Sequence, residues 1–191
     1  MKKSILLFVT FLFLILNIQA QENTEEDSGN KSQARFGLKA GFSSLSARVS
    51  SGGNSASSST SGFYIGAFAE FYLSEQLDLQ PELTYANYSE NGESIDFLLV
   101  PILLKYDANE ELSILAGPQI DYLLDSQAAE GTTRVGIDLG LGISYNISEN
   151  VMIDARYTFG LSNRIDDPEF ENTDIKGSFN FLQIGLAYKF N

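Results

Sequence analysis

The side chains available for chemistry in this chain are carboxylates, amines, guanidinium groups and hydroxyls, because its 191 residues include no His and no Cys. That removes the Ser-His-Asp triad, the thiolate nucleophile, His- or Cys-ligated metal sites, disulfides and a lipid-anchored Cys. The charged residues that remain on one face of alternating segments are Lys39, Glu70, Asp78, Glu82, Asp121, Arg134, Asp138, Asp154, Arg156 and Lys189. A carboxylate pair such as Glu70/Glu82 has the residue types for acid–base work. The reading preferred here is a structural network, since an enclosed charge is costly unless it is paired or hydrated. Gly140-Leu141-Gly142 lies within a strand pattern, and no nucleophile elbow or phosphate-cradling loop sequence occurs. The acidic stretch Ile165–Glu171 through Asp174 could collect a divalent cation, but it lacks the spacing of a calcium loop and reads as solvated. No catalytic, metal-binding or cofactor-binding residue is assigned, and no cofactor is expected. With 25 acidic against 12 basic residues and a net charge of −13, nucleic acid is excluded as a partner.

The elements that must position these charges are strands. Between Thr133 and Ile147 the odd positions are Val135, Ile137, Leu139, Leu141, Ile143 and Tyr145, while the even ones are charged, small or polar. Successive strand side chains point to opposite faces, so one face is apolar and the other polar. Val151–Leu161 repeats the pattern, as do segments beginning at Phe36, Phe63, Leu77, Leu112 and Asn180. Ile95–Tyr106 is apolar on both faces, so its facing stays open. The count is eight strands of about ten residues, a length suited to tilted membrane strands.

The connections alternate in length. Ser74–Gln76, Asp107–Glu111 and Ser148–Asn150 are short, whereas the Ser-rich Ser50–Ser61, Ser89–Ser94, Asp125–Thr132 and Asn163–Lys176 are longer polar links. Short turns on one side and long loops on the other are the layout of an up-and-down outer-membrane barrel. The expected fold is therefore all-β, an eight-stranded antiparallel up-and-down transmembrane β-barrel over residues 34–191. Aromatics near both strand ends predict two interfacial girdles, with Phe71, Tyr72, Tyr106, Tyr145, Tyr188 and Phe190 on one side. On the other stand Phe42, Phe63, Tyr85, Tyr88, Phe97, Tyr122, Tyr157, Phe159, Phe179 and Phe181. A soluble lipocalin-like periplasmic barrel would use the same alternation with the apolar face inward.

The N-terminus reads as an export signal. Met1-Lys2-Lys3 precedes an apolar run from Ile5 to Leu16, and Ala20 fits the residue before a cleavage site. The run is short for a membrane-spanning helix. Residues 1–20 are expected to be removed, leaving residues 21–33 as an acidic disordered leader.

Three segments carry a resemblance. They are Phe36-Gly37-Leu38-Lys39-Ala40-Gly41; Leu98–Tyr106 with Leu115-Ala116-Gly117-Pro118; and Asp138-Leu139-Gly140 through Ala155–Leu161. In their order and spacing they resemble the small outer-membrane β-barrels abundant in Bacteroidota, often labelled "porin family". The closing segment Gln183-x-Gly185-x-x-Tyr188-x-Phe190 resembles the signal read by the barrel-assembly machinery, although Asn191 follows the last aromatic. The resemblance implies Sec export, an outer-membrane location, contact with lipid and lipopolysaccharide, and transient binding to the assembly machinery. The expected protein is a non-enzymatic monomer with a structural or surface-loop binding role and an unassigned surface ligand. The alternatives are a narrow channel for ions or small solutes, a membrane enzyme acting on lipid, and the soluble binding barrel.

Overall fold

The computed structural model describes residues 34–90, 92–125, 132–165 and 175–190. The expected signal segment 1–20, the leader 21–33 and the acidic residues 166–174 lie outside the described residues. Eight strands are present: β1 (Arg35–Ser51), β2 (Asn54–Ser74), β3 (Leu77–Glu90), β4 (Glu93–Asp107), β5 (Leu112–Leu123), β6 (Val135–Asn146), β7 (Val151–Gly160) and β8 (Lys176–Lys189). Each pairs antiparallel with its neighbour in sequence, and β1 pairs with β8 to close the barrel. Closure leaves no sheet edge within the wall, which a strand-built membrane protein requires.

Alternation sets the two faces. Leu38, Phe42, Ile65, Ile102, Ile114, Ile137, Leu141, Ile153, Ile184 and Leu186 are exposed on the outside. Their polar neighbours Lys39, Glu82, Asp121, Asp138, Asp154 and Arg156 are buried in the lumen. This facing is the reverse of a lipocalin-like barrel, because an exterior built of Ile, Leu and Phe suits hydrocarbon. On β4 the outward positions from Leu98 to Tyr106 span about 26 Å along the strand at about 3.3 Å per residue. A tilt of about 40° reduces that to roughly 20 Å, close to the apolar band of about 25 Å in such barrels. Just beyond the band, outward Asp96 accepts hydrogen bonds from Tyr85 Oη at 2.9 Å and Asn87 Nδ2 at 2.7 Å.

Two long links of the sequence reading are strands instead. Ser50–Ser61 continues β1 and β2 as one hairpin in register from Arg35↔Glu70 to Ser51↔Asn54, turned by Gly52 and Gly53. Both glycines have positive φ, +55° and +86°, the backbone that a two-residue hairpin turn demands. Ser89–Ser94 similarly extends β3 and β4, which pair as far as Glu90↔Glu93. Ser and Thr read as linker residues by composition, yet alternating Ser/Ala/Thr fits a pleat when a paired strand stands beside it. The wall is uneven as a result. β1 has 17 residues and β2 has 21, against 10 in β7.

Besides a register shift in β2–β3 between Tyr72 and Ser74, the ladder has one gap at a common level in each of three adjacent strand pairs. Pairing skips from Phe68↔Glu82 to Phe71↔Leu79, from Pro81↔Ile102 to Thr84↔Leu99, and from Pro101↔Gln119 to Leu104↔Ala116. Pro81, Pro101 and Pro118 lie at these gaps. A proline has no N–H to donate, so each removes a rung, and the three fall within about one residue of one level.

Candidate functional site in the barrel lumen

An eight-stranded barrel leaves room for side chains and little else. Here the lumen divides into a charged part, running from the short-turn end to the middle, and an apolar part toward the hairpin end.

At the short-turn end Glu70 is enclosed by three cations. Lys105 Nζ lies 2.6 Å from its Oε1, with Arg35 Nε at 3.1 Å and Lys189 Nζ at 3.8 Å from its Oε2. Arg35 Nη2 also reaches Asp78 Oδ2 at 2.6 Å. Arg35 and Lys105 were absent from the sequence-derived set. Lys105 lies on β4, whose apolar residues on both faces hid its inward parity.

In the middle, Lys39 on β1, Glu82 on β3, and Asp154 and Arg156 on β7 form a layer across the lumen. Arg156 donates Nη1 to Glu82 Oε2 at 2.9 Å and Nη2 to Oε1 at 2.6 Å. Lys39 Nζ bridges Glu82 Oε2 at 3.2 Å and Asp154 Oδ2 at 2.7 Å. Gln80 Nε2 donates to Glu82 Oε1 at 2.8 Å and Tyr64 Oη to Asp154 Oδ1 at 3.1 Å. Two positive and two negative charges thus cancel, with a bidentate Arg–carboxylate pair among them. A void of about 10 Å³ lined by Lys39, Phe68, Gln80 and Met152 lies beside the layer, too small for more than one water. Glu70 and Glu82 belong to separate clusters, each saturated by cations, so they do not form the paired carboxylates an acid–base reading needs.

A third group flanks the wall toward the hairpin end. Arg164 Nη1 lies 2.8 Å from Asp121 Oδ2, and Gln119 Nε2 donates to Asp138 Oδ2 at 3.0 Å. Gly136 leaves the space they occupy, because a Cβ there would collide with Arg164 Nη1 and Asp121 Oδ1. Arg134 precedes β6 and is half-buried, with its carbonyl accepting from Leu123 N and Arg164 Nη2. Arg164 lies outside any strand, so period-two reasoning could not select it.

Above the charges the lumen is filled by Leu45, Tyr64, Ala86, Tyr88, Phe97, Leu99, Leu123 and Phe181. Phe97 meets Phe181, Phe179 and Tyr88 edge-on, with ring centroids 5.3, 5.6 and 6.0 Å apart. Tyr88 Oη and Ser43 Oγ share a hydrogen bond of 2.7 Å. Tyr88, Phe97 and Phe181 therefore plug the lumen instead of joining an outer girdle. Aromatic content near a strand end looks the same from sequence in either role. Tyr106, Tyr145, Tyr188 and Phe190 do face outward and are exposed.

Of the closing-strand residues, Gln183 is buried in the lumen, and Tyr188 and Phe190 project outward with ring centroids 5.5 Å apart. Gly185 makes room for Tyr64 Oη, with which a Cβ would collide, so this glycine also has a local structural reason. Among the described residues no group of three or more acidic side chains could hold a metal ion.

Similar barrels are known among solved structures. The attachment invasion locus protein Ail of Yersinia pestis matches with a TM-score of 0.50 at 14% identity, over 83% of this chain and 99% of Ail. Neisserial surface protein A matches with a TM-score of 0.50 at 17% identity, over 83% of this chain and 99% of that protein. At these identities the likeness concerns the fold. No curated protein sequence matches the chain. A family model for the outer membrane protein beta-barrel domain matches residues 8–190, and with the lipid-facing exterior and closed eight-strand ring, the chain belongs to that outer-membrane β-barrel family.

Proposed function

We propose that the protein is a non-enzymatic, monomeric and non-conducting barrel that displays its β1–β2 hairpin to a protein partner at the cell surface. The observation that carries this reading is the uneven wall. Asn54–Ser61 pairs with β1 on one side, whereas the β2–β3 ladder begins only at Gly62↔Tyr88. Among the described residues no strand pairs with its other side. This stretch contains no Lys or Pro, the usual guards of an exposed edge, and an unguarded edge accepts an extended segment by strand addition. In barrels of this kind short turns face the periplasm and long connections the exterior; the long connections here follow β5 and β7 and share the hairpin's end, which supports an outside position for the hairpin. The charge layer and the aromatic plug argue against the channel reading, since among the described residues both stand across the lumen.

The remaining expectations join this proposal. Residues 1–20 direct Sec export, Tyr188 and Phe190 present the outward half of the assembly signal, and lipid and lipopolysaccharide meet the outer face. The motifs around Pro101 and Gly117 support a Bacteroidota origin and the "porin family" label. Two measurements test the display reading. A photo-crosslinker at Ser57 in intact cells should give discrete protein adducts that disappear when Ser59→Lys guards the edge; no adducts at Ser57 would overturn display. Purified protein in planar bilayers should show no conductance steps, and steps altered by Arg156→Ala would establish a channel instead.

A further inference from the structure

The hairpin end of the lumen holds a second candidate site, which uses side chains of Ser58 and Thr60 where the open edge would use the backbone of the same stretch. Leu45, Phe97 and Leu123 form an apolar floor there, each nearly inaccessible to solvent. Ala47, Ile95 and Phe179 rise above it, and Ser58 and Thr60 complete the lining. Together they enclose a cavity of about 110 Å³. Below it, the same half of the lumen is filled by the packed aromatic and aliphatic cluster. At the cup small residues, Ala47 and Ser58, stand on the adjoining strands β1 and β2, and among the described residues nothing fills the space.

The geometry points to a binding site for one small, uncharged, single-ring aromatic molecule carrying a hydroxyl group. Volume sets the size, because an apolar cavity of about 150 Å³ admits benzene and this one is slightly smaller and open at one side. Ring chemistry sets the class. Phe97 and Phe179 meet at 5.6 Å with planes 80° apart, so they offer the edges and faces to which another ring packs edge-on. The Arg164 guanidinium lies 4.9 Å from the centre of the Phe179 ring, which fixes that wall. The polar side sets the substituent. Thr60 Oγ1 donates to Glu90 Oε2 at 3.0 Å, leaving its lone pairs to accept from a ligand hydroxyl, with the Ser58 hydroxyl beside it. A charged ligand would meet no counter-charge among the lining residues. The site does not depend on strand addition at the edge, so either reading can fail alone.

The test is a titration of the detergent-solubilised, folded full-length barrel with phenol, observed through the methyl NMR signals of Leu45, Ile95 and Leu123. Saturable shifts confined to these methyls are expected, with cyclohexanol weaker by roughly tenfold, about 1.4 kcal/mol. Ala47→Phe fills the cup and should abolish saturation while leaving the gel mobility of the unheated barrel unchanged. Should that variant not fold, Ser58→Leu narrows the cup from the opposite strand and should give the same loss. Unsaturable shifts that also reach outward methyls such as Ile137 and Leu186 would mean partition into detergent and would overturn the site. Equal phenol affinity in a folded cup-filling variant would overturn it too.

Discussion

Glu82 accepts from Lys39, Gln80 and both terminal nitrogens of Arg156 while buried at 4% exposure. Glu82→Ala would leave two cations facing Asp154 alone, the circumstance in which a broken buried pair costs about 3–5 kcal/mol. The expected result is a marked fall in the temperature at which the folded band is lost during electrophoresis after graded heating. The double variant Glu82→Leu/Arg156→Met removes both partners and should recover much of that loss, since apolar replacement of a whole pair is often close to neutral. If the double variant proved no more stable than Glu82→Ala, pairing would not be what holds the layer. Residue by residue, legibility followed parity. Lys39, Glu70, Asp121, Asp138, Asp154 and Arg156 were readable as lumen residues because each sits opposite an aliphatic neighbour. Lys105 was hidden by its apolar strand, and Arg164 by lying in a connection.

At the scale of elements, the raised hairpin separates display from stability. The buried apolar cluster in the lumen extends only as far as Leu45 on β1. Deleting Ser50, Ser51, Asn54 and Ser55 keeps the Gly52-Gly53 turn and the Val49↔Ala56 register. The shortened protein should resist heat as the parent does; a clear loss of heat resistance would show the tip to be part of the fold's support. Pro81 lies at one of the three interrupted ladders with its side chain on the lipid side. Pro81→Val restores a backbone donor where hydrocarbon supplies none, and a net gain of about 1 kcal/mol is expected. Urea titration in lipid vesicles would register it as a higher midpoint. Strand number, order and facing were legible because a two-residue period admits one barrel with the apolar face outward. Strand length was less so. Composition marks Ser50–Ser61 as loop, and only the pairing of β1 with β2 makes it strand. The inward turn of Phe97 was equally hidden on the doubly apolar β4, whereas Tyr88 and Phe181 share the parity of Glu82 and Gln183, and only their place near strand ends suggested a girdle.

For the whole molecule, closure and a lipid-facing exterior predict a folded form that survives SDS. Unheated protein from isolated outer membranes should run faster than boiled protein, whereas a single band at one mobility would sink the closed barrel. The charge layer has one more consequence, which concerns the order of events in assembly. Its hydrogen bonds between charged groups join residues 43, 74 and 115 positions apart, so, beyond the longer 3.8 Å approach of Arg156 to Asp154 within β7, no single hairpin contains the matched set. A sheet of β2 to β6 carries Glu82 without either cation, and Asp154 and Lys39 come from opposite ends of the chain. Until the first and last strands meet, these groups need water. Sealing the ring and drying its centre must therefore coincide, and a half-zipped intermediate should remain wet, open and easily cut by protease up to that moment.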